Sequence, residues 1–196
     1  MTLFVFAGPN GSGKSTLVDG FLQSKEYCGI TYICPDALAD ALFEEYADIH
    51  SRYEAALKKA EELRISALDE YEDFCIETVL SKPDKIEYII KAKERGYDIC
   101  IVYITTESPA INISRVKKRV LENGHSVPEE KIMSRYRRSM NNIPELLELA
   151  DIMIMYDNST SDSTPRLVYF HDENSTYIPD FALSIKWIQH FVLPHI

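Results

Sequence analysis

Short apolar runs rich in β-branched residues alternate along this chain with longer segments whose apolar residues recur at helical spacing. The pattern predicts strands at residues 3–7, 31–34, 74–79, 99–105 and 152–156, and helices at about 14–25, 37–48, 51–72, 84–95, 108–122 and 128–140. Such alternation is typical of a parallel sheet with crossover helices on its faces. We therefore expect an α/β fold with a parallel sheet of about five strands and flanking helices.

The segment between the second and third predicted strands is unusually long and holds two of the predicted helices. The second has apolar residues at helical spacing: Leu57, Ala60, Leu63, Ala67, Leu68 and Tyr71. This pattern predicts a packing face, and one wall of a substrate pocket is the alternative for this helical insertion. Near the end, residues 166–171 and 175–179 predict a hairpin, and a closing helix follows from residue 180. We expect one domain over residues 1–196, with a core over 1–160 and a C-terminal hairpin and helix over 161–196.

Composition narrows the function classes. The 196 residues are 45% hydrophobic, enough for a sizeable core, and carry 21 basic against 31 acidic residues, a net charge of −10. This charge disfavours nucleic acid as a partner. The four cysteines lack metal-ligand spacing and are predicted to be free thiols. Since no apolar stretch approaches the ~20 residues of a membrane span, we expect a cytoplasmic protein without membrane contact.

The strongest motif follows the first predicted strand. Residues 8–15 read Gly-Pro-Asn-Gly-Ser-Gly-Lys-Ser and match the P-loop pattern, between an apolar strand and the start of a helix. Glycines let successive backbone N–H groups face one anion, and the helix N-terminus adds its positive dipole end. Lys14 is expected to reach the β- and γ-phosphates of ATP, and the Ser15 hydroxyl to ligate Mg²⁺. The predicted nucleotide-binding residues are Gly8, Asn10, Gly11, Ser12, Gly13, Lys14, Ser15 and Thr16.

Carboxylates follow the next two strands, at the sheet edge where ligands bind in such folds. Asp36 is a candidate general base for an attacking hydroxyl, and an N-cap of the following helix is an equally good interpretation. Glu77 lies inside an apolar run and therefore needs a partner, either a substrate or Mg²⁺-bound water or a structural salt bridge. We favour the functional role for Glu77 and its neighbour Thr78.

Residues 115–138 form a basic segment in an otherwise acidic chain. Arg115 and Arg119 lie at i, i+4 on one predicted helix, and three more basic residues lie at i, i+4, i+7 on the next: Lys131, Arg135 and Arg138. The breaker-rich turn 123–128 joins them and includes His125, which we interpret as a turn or lid contact. Two basic faces joined by a turn predict a helix–turn–helix lid over phosphates, with two solvated helix faces as the alternative.

Taken together, these residues resemble the zeta-toxin family of P-loop kinases in its compact single-domain branch. The resemblance covers about residues 3–159. It rests on the phosphate loop and on the motifs Pro35-Asp36, Ile76-Glu77-Thr78, Arg119…Gly124-His125-x-Val127-Pro128…Arg135-Tyr136-x-Arg138-Ser139 and Tyr156-Asp157-Asn158-Ser159.

The resemblance implies an ATP-dependent phosphotransferase acting on a sugar hydroxyl of UDP-N-acetylglucosamine, with an antitoxin protein as a possible partner. It makes Lys14 the phosphate clamp, Ser15 the Mg²⁺ ligand and Asp36 the general base. Arg119 and Arg135 become charge stabilisers on the transferring phosphoryl group. Glu77, Thr78 and, as a third arginine, Arg138 become substrate-binding residues. Asn158 follows the last core strand, where a contact to the adenine base and a plain loop are equally good interpretations.

Four features depart from the family pattern. Cys34 stands where Asn is common, Val79 where a second Thr is common, and Asn123 where Gly is common. The strand at 99–105 also lacks an acidic Walker-B residue at its end, which leaves Ser15, the phosphates and waters to hold Mg²⁺. Two other functions stay open: a kinase of another small molecule or a nucleic-acid end, and a nucleotide-binding interaction module with weak activity.

Overall fold

Seven strands form one sheet in the computed structural model, which describes residues 1–122, 126–160 and 164–196. The strands are β1 (Thr2–Ala7), β2 (Thr31–Ile33), β3 (Phe74–Thr78), β4 (Asp98–Thr105), β5 (Ile152–Asp157), β6 (Arg166–His171) and β7 (Thr176–Tyr177). Their order across the sheet is β2-β3-β1-β4-β5-β6-β7. The first five strands are parallel, whereas β6 and β7 pair antiparallel. The predicted α/β fold with a mostly parallel sheet is confirmed.

The sheet has two strands more than predicted because the C-terminal hairpin adds to its edge. The backbone of β6 pairs with β5, and Met153 of β5 lies opposite His171 of β6. Both faces of the sheet are covered by helices, so the central strand β1 is buried along nearly its whole length.

Eight α-helices connect or follow the strands in the described part of the chain: α1 (Lys14–Leu22), α2 (Pro35–Ala41), α3 (Ile49–Glu70), α4 (Pro83–Glu94), α5 (Pro109–Leu121), α6 (Glu129–Asn141), α7 (Ile143–Leu149) and α8 (Lys186–Phe191). Helix α7 was not predicted from the sequence. A 3₁₀ turn over Asp180–Ser184 precedes α8 where the closing helix was expected. None of the helices in the described ranges is both long and apolar enough to cross a membrane.

Helix α3 packs through a face that differs from the one predicted. Ala60 and Leu68 are buried as expected, but Leu57 and Tyr71 are 55% and 54% exposed. Arginines occupy the buried face instead, at Arg52 and Arg64. The alternative prediction for this insertion, a wall of a pocket, therefore has structural support, because Leu57 and Arg64 line the cavity described below.

Candidate active site

A cavity of about 540 Å³ opens beyond the carboxyl ends of β1, β2 and β3. Its walls come from the phosphate loop, the start of α2, the loop after β3, helix α3 and the basic helices α5 and α6. Predicted site residues from separate segments of the chain line this cavity together, among them Lys14, Asp36, Glu77 and Arg119. The topology thus gathers side chains that are up to about a hundred residues apart into one space.

The phosphate loop requires glycine at positions where a side chain has no room. Gly8 has φ +141°, and a Cβ there would lie 1.9 Å from the carbonyl oxygen of Ile104. Gly13 has φ +103°, and its Cβ would lie 2.6 Å from Nδ2 of Asn158. Both backbone conformations are costly for any other residue. The loop can therefore wrap an anion and lead directly into the N-terminus of α1.

Side chains from distant parts of the chain hold the phosphate loop in this conformation. Nδ2 of Asn112 donates to the carbonyl of Asn10 at 2.7 Å, and Nδ2 of Asn158 donates to the carbonyl of Ser12 at 2.8 Å. Nη1 of Arg135 lies 3.4 Å from Oδ1 of Asn10. Asn158, for which a contact to the adenine base was one of two interpretations, is thus directly bonded to the phosphate loop.

The ammonium of Lys14 is buried inside the loop, where its side chain is only 6% exposed. Nζ donates to the carbonyl of Pro9 at 3.1 Å and lies 3.9 Å from Oε1 of Glu77. Burial lowers the pKa of Lys14 below its ordinary value, and the charges of Glu77 and Asp36 oppose that shift. A phosphate group beside Nζ would supply the counter-charge that this buried cation has only at a distance.

Glu77 lies at the end of β3, beside the phosphate loop. Its Oε2 accepts hydrogen bonds from Oγ of Ser15 at 3.2 Å and from the hydroxyl of Tyr32 at 3.0 Å. Burial and the neighbouring Glu77 charge raise the pKa of Tyr32 well above its ordinary value, and they raise the pKa of the Cys34 thiol as well. The Tyr32 hydroxyl therefore stays protonated and donates its hydrogen bond to Glu77.

Asp36 lies in the first turn of α2 and lines the cavity with an exposed side chain. The N-cap position belongs to Cys34, and Pro35 begins the helix. Asp36 is therefore not the N-cap that the sequence allowed as an alternative. The charge of Asp36 opposes the lowering of the Lys14 pKa by burial, so the two groups interact across the cavity that both line.

The basic segment forms two helices as predicted, and three of its arginines line the cavity: Arg115, Arg119 and Arg135. Helix α6 is anchored to the sheet, since the hydroxyl of Tyr136 donates to the carbonyl of Thr106 at 2.6 Å and Tyr103 bonds Ser139 at 2.9 Å. The predicted turn residues Asn123, Gly124 and His125 lie outside the described residues.

Two predicted substrate-binding residues make contacts within the protein. Nε of Arg138 donates to the carbonyl of Ser81 at 2.9 Å, and Arg138 does not line the cavity among the residues described. Oγ1 of Thr78 accepts from the backbone N–H of Leu80 at 3.1 Å, while Thr78 itself lines the cavity. Both hydrogen bonds fix the loop after β3, one at Ser81 and the other at Leu80. Leu80 also has a positive φ of 48°.

Sequence reasoning missed other residues of this site. Tyr32 and Asn112 contact Glu77 and the phosphate loop, and Arg64, Lys82 and Lys85 line the cavity on the side of α3 and α4. A signal for Arg64 was present in the sequence. It lies at i+4 and i+8 from Ala60 and Ala56 on a face that is otherwise apolar, where an arginine is unusual.

The residues around Ser15 suit Mg²⁺, which prefers oxygen ligands and retains several waters. The Ser15 hydroxyl at the start of α1 and the Glu77 carboxylate lie 3.2 Å apart beside the phosphate loop. No group of three or more His, Cys, Asp or Glu side chains within the described ranges could hold a metal by itself. Such a site would depend on phosphate oxygens for its remaining ligands.

Comparisons with known proteins agree with this geometry. The zeta toxin family model matches residues 2–164. The chain is 33% identical over 134 residues to an uncharacterized protein of Haemophilus influenzae, an alignment that covers 67% of this chain and 89% of that protein.

Among solved structures, a crystal structure of AvrRxo1-ORF1:-ORF2 with ATP superposes with a TM-score of 0.77 at 15% identity, and the match covers all of this chain and 64% of that one. The PezAT chromosomal toxin–antitoxin system of Streptococcus pneumoniae gives a TM-score of 0.63 at 20% identity over 94% of this chain and 77% of that one. These structural likenesses establish the fold.

Proposed function

The chain belongs to the zeta toxin family, and on that premise we propose that it is an ATP-dependent P-loop kinase whose acceptor is a hydroxyl of a UDP-sugar such as UDP-N-acetylglucosamine. One observation carries the proposal: the P-loop lysine, the exposed carboxylate of Asp36 and the arginines Arg119 and Arg135 line the same cavity. These are the parts that phosphoryl transfer needs, since its catalysis rests on positioning and on neutralising charge.

In this reaction the acceptor oxygen attacks the γ-phosphorus, the bond to the β–γ bridging oxygen breaks, and ADP leaves. Asp36 takes the proton from the attacking hydroxyl, because its carboxylate faces the cavity and is not used as a helix cap. Lys14 binds the β- and γ-phosphates, while Arg119 and Arg135 stabilise the charge on the transferring group. Ser15, with Glu77 beside it, would hold Mg²⁺, which neutralises phosphate charge when bound.

Two structurally similar proteins support the proposal that this chain has a protein partner. AvrRxo1-ORF1 was crystallised with ORF2, and PezAT is a toxin–antitoxin system. We include an antitoxin protein in the proposal as a partner of this chain. Its presence is tested by co-purification of the chain with the product of a neighbouring reading frame.

Phosphate transfer from ATP to a panel of UDP-sugars, free sugars and oligonucleotides tests the proposal. We expect a phosphorylated UDP-sugar, loss of turnover by orders of magnitude in Lys14→Ala, and a fall of about 10²- to 10⁴-fold in Asp36→Asn. Labelled oligonucleotide ends instead would favour the nucleic-acid kinase. ATP binding without transfer to any acceptor, unchanged in Asp36→Asn, would favour an interaction module and contradict the kinase assignment.

A matched control separates base chemistry from local charge. Asp40 lies one turn beyond Asp36 on α2 and does not line the cavity among the described residues. Asp40→Asn removes the same charge from the same helix, so it should leave turnover within about twofold of the wild type. Equal losses in both variants would contradict the assignment of Asp36 as the base.

A further inference from the structure

The β3–α4 loop, residues 79–82, forms part of the cavity wall and contains a strained residue. All four of its residues line the cavity. Leu80 has a φ of 48°, and its side chain is fully buried. A positive φ is costly for a residue with a Cβ, and Tyr71, which also has one, ends helix α3, where this conformation is common. The strain at Leu80 therefore has to be offset by interactions with the surrounding structure.

Hydrogen bonds from side chains hold the backbone of this loop, and two of them come from the end of helix α6. Nδ2 of Asn142 donates to the carbonyl of Leu80 at 2.9 Å, and Nε of Arg138 donates to the carbonyl of Ser81 at 2.9 Å. The N–H of Leu80 donates to Oγ1 of Thr78 at 3.1 Å. Both backbone groups of the strained residue are thus bonded to side chains.

The two donors lie in a firmly held part of the chain. Asn142 ends α6 and precedes α7, and its backbone N–H donates to the carbonyl of Arg138 at 3.2 Å. Helix α6 is itself bonded to β4 and the residue after it through the hydroxyls of Tyr103 and Tyr136. Arg138 and Asn142 therefore give the loop fixed attachment points from 57 and 62 residues further along the chain.

Packing alone does not fix this loop, because a second cavity lies behind it. This cavity, of about 400 Å³, opens between α4 and the junction of α6 with α7. Ser81 and Lys82 line it from the loop, and Arg138 and Asn142 line it from the opposite helices. Residues 81 and 82 thus border a cavity on each side. Without the two hydrogen bonds the loop has space to move, and Leu80 can leave its strained conformation.

The sheet topology places this loop between the candidate base and the phosphate loop. Strand β3 lies between β2 and β1, and the three strands are parallel. Asp36 follows β2, the phosphate loop follows β1, and all three segments line the same cavity. An acceptor hydroxyl has to lie between the base and the transferred phosphate. The β3–α4 loop is therefore in a position to shape the wall beside the acceptor.

We propose that Arg138 and Asn142 are positioning residues for the acceptor, which hold the β3–α4 loop in its strained conformation from outside the cavity. Neither side chain lines that cavity in the described part of the chain, so both act through the loop. The inference rests on the proposed kinase function for the identity of the ligand. It gives Arg138 a different role from the direct substrate contact that the resemblance implies.

Hydrogen exchange tests the loop without any ligand or turnover. Arg138→Met removes one donor, and Asn142→Asp removes the other with little change in size. We expect the backbone amide of Leu80 to exchange about tenfold or more faster in each variant, while the amides of β3 keep their rates. Arg137→Met and Asn141→Asp are matched controls, because neither side chain bonds the loop among the described residues, and both should exchange as the wild type does.

Transfer kinetics with UDP-N-acetylglucosamine test the positioning role. In Arg138→Met and Asn142→Asp the KM for the acceptor should rise about tenfold, whereas the KM for ATP should stay within about twofold. Arg138→Lys keeps a cationic donor and should recover part of the loss. A general loss of structure would raise both KM values together and would overturn the proposal.

Unchanged exchange at Leu80 in both variants would overturn the proposal, and so would faster exchange with an unchanged KM for the acceptor. If the wild type transfers phosphate to no acceptor, the kinase function fails and the acceptor role fails with it. The exchange experiment still decides whether α6 holds the loop, so the two failures are distinguishable.

Two substitutions at Leu80 test the strain itself and do not depend on the folding of the other variants. Leu80→Gly and Leu80→Ala both remove the buried side chain, but only glycine adopts a positive φ without strain. We expect Leu80→Gly to unfold at a higher urea concentration than Leu80→Ala, although glycine makes the unfolded chain more flexible. An equal or lower midpoint for Leu80→Gly would contradict the strain on which the inference depends.

Discussion

Replacing Trp187 by Phe removes a hydrogen bond that ties the last helix to the strand leading into the nucleotide site. Nε1 of Trp187 donates to Oδ2 of Asp157 at 2.9 Å, and Asp157 is only 2% exposed. The same carboxylate accepts from the backbone N–H and the hydroxyl of Ser159 at 3.1 and 2.8 Å. Between them lies Asn158, which donates to the carbonyl of Ser12 in the phosphate loop.

The cost of this change follows from burial and charge. A hydrogen bond to a buried carboxylate contributes about 1.5–3 kcal/mol, and the smaller ring loses about 1 kcal/mol of apolar burial. Arg166, at 3.6 Å, and Ser159 continue to pair Asp157, which limits the damage. We therefore expect the free energy of unfolding of Trp187→Phe to fall by about 2–4 kcal/mol, and ATP affinity to fall by less than about tenfold.

Urea unfolding with a double-mutant cycle isolates the hydrogen bond from the lost volume. Trp187→Phe is combined with Asp157→Asn, and a coupling energy of at least about 1 kcal/mol is expected. Phe191→Leu, on the same helix and without a side-chain hydrogen bond, is the control for lost apolar area. A coupling below about 0.5 kcal/mol would refute the reasoning, because the indole would then act by packing alone.

Three further predictions concern the phosphate loop. Gly13→Ala should abolish measurable ATP binding in calorimetry, because its Cβ would meet Asn158 at 2.6 Å in a positive-φ conformation. Asn112→Ala removes the 2.7 Å bond to Asn10 and should weaken ATP by about tenfold in the same assay. Lys14 has a lowered folded-state pKa, so its buried charge costs stability at neutral pH, and this cost disappears as pH rises toward the unfolded value of 10.5. In urea unfolding the stability of the wild type relative to Lys14→Met should therefore rise as the pH is raised toward 10.5, and a difference that stays constant would contradict this prediction.

The sequence allowed the central strands to be predicted because each is buried on both faces and is therefore continuously apolar. It did not show that the hairpin extends the sheet, since the pairing of β6 with β5 depends on backbone contacts that no local pattern records. Helix α7 has seven residues, begins directly after α6 and has Pro144 in its first turn. Such a segment is too short to show helical periodicity, and its proline predicts the end of a helix instead of a new one.

The site residues likewise fall into two groups: those that a local sequence pattern predicts and those whose position depends on tertiary packing. The phosphate loop is a local motif, and Asp36 and Glu77 were located because each follows a strand of the sheet. Arg135 and Arg138 have a spacing that predicts a shared face, yet only Arg135 lines the cavity, because Arg138 is bonded to the carbonyl of Ser81. Arg64 was missed because the sequence does not show which face of α3 lines the cavity.

The long-range hydrogen bonds to the phosphate loop explain why the motif alone does not determine how tightly the loop binds ATP. The bonds from Asn112, Arg135 and Asn158 span 102, 125 and 146 residues of sequence, so the loop is held only when the far half of the sheet has formed. A loop whose backbone amides are already oriented loses little conformational entropy when its ligand binds. The smaller entropic cost makes binding tighter. Substitutions at Trp187 or Asn112 should therefore alter ATP affinity without changing a residue of the P-loop motif.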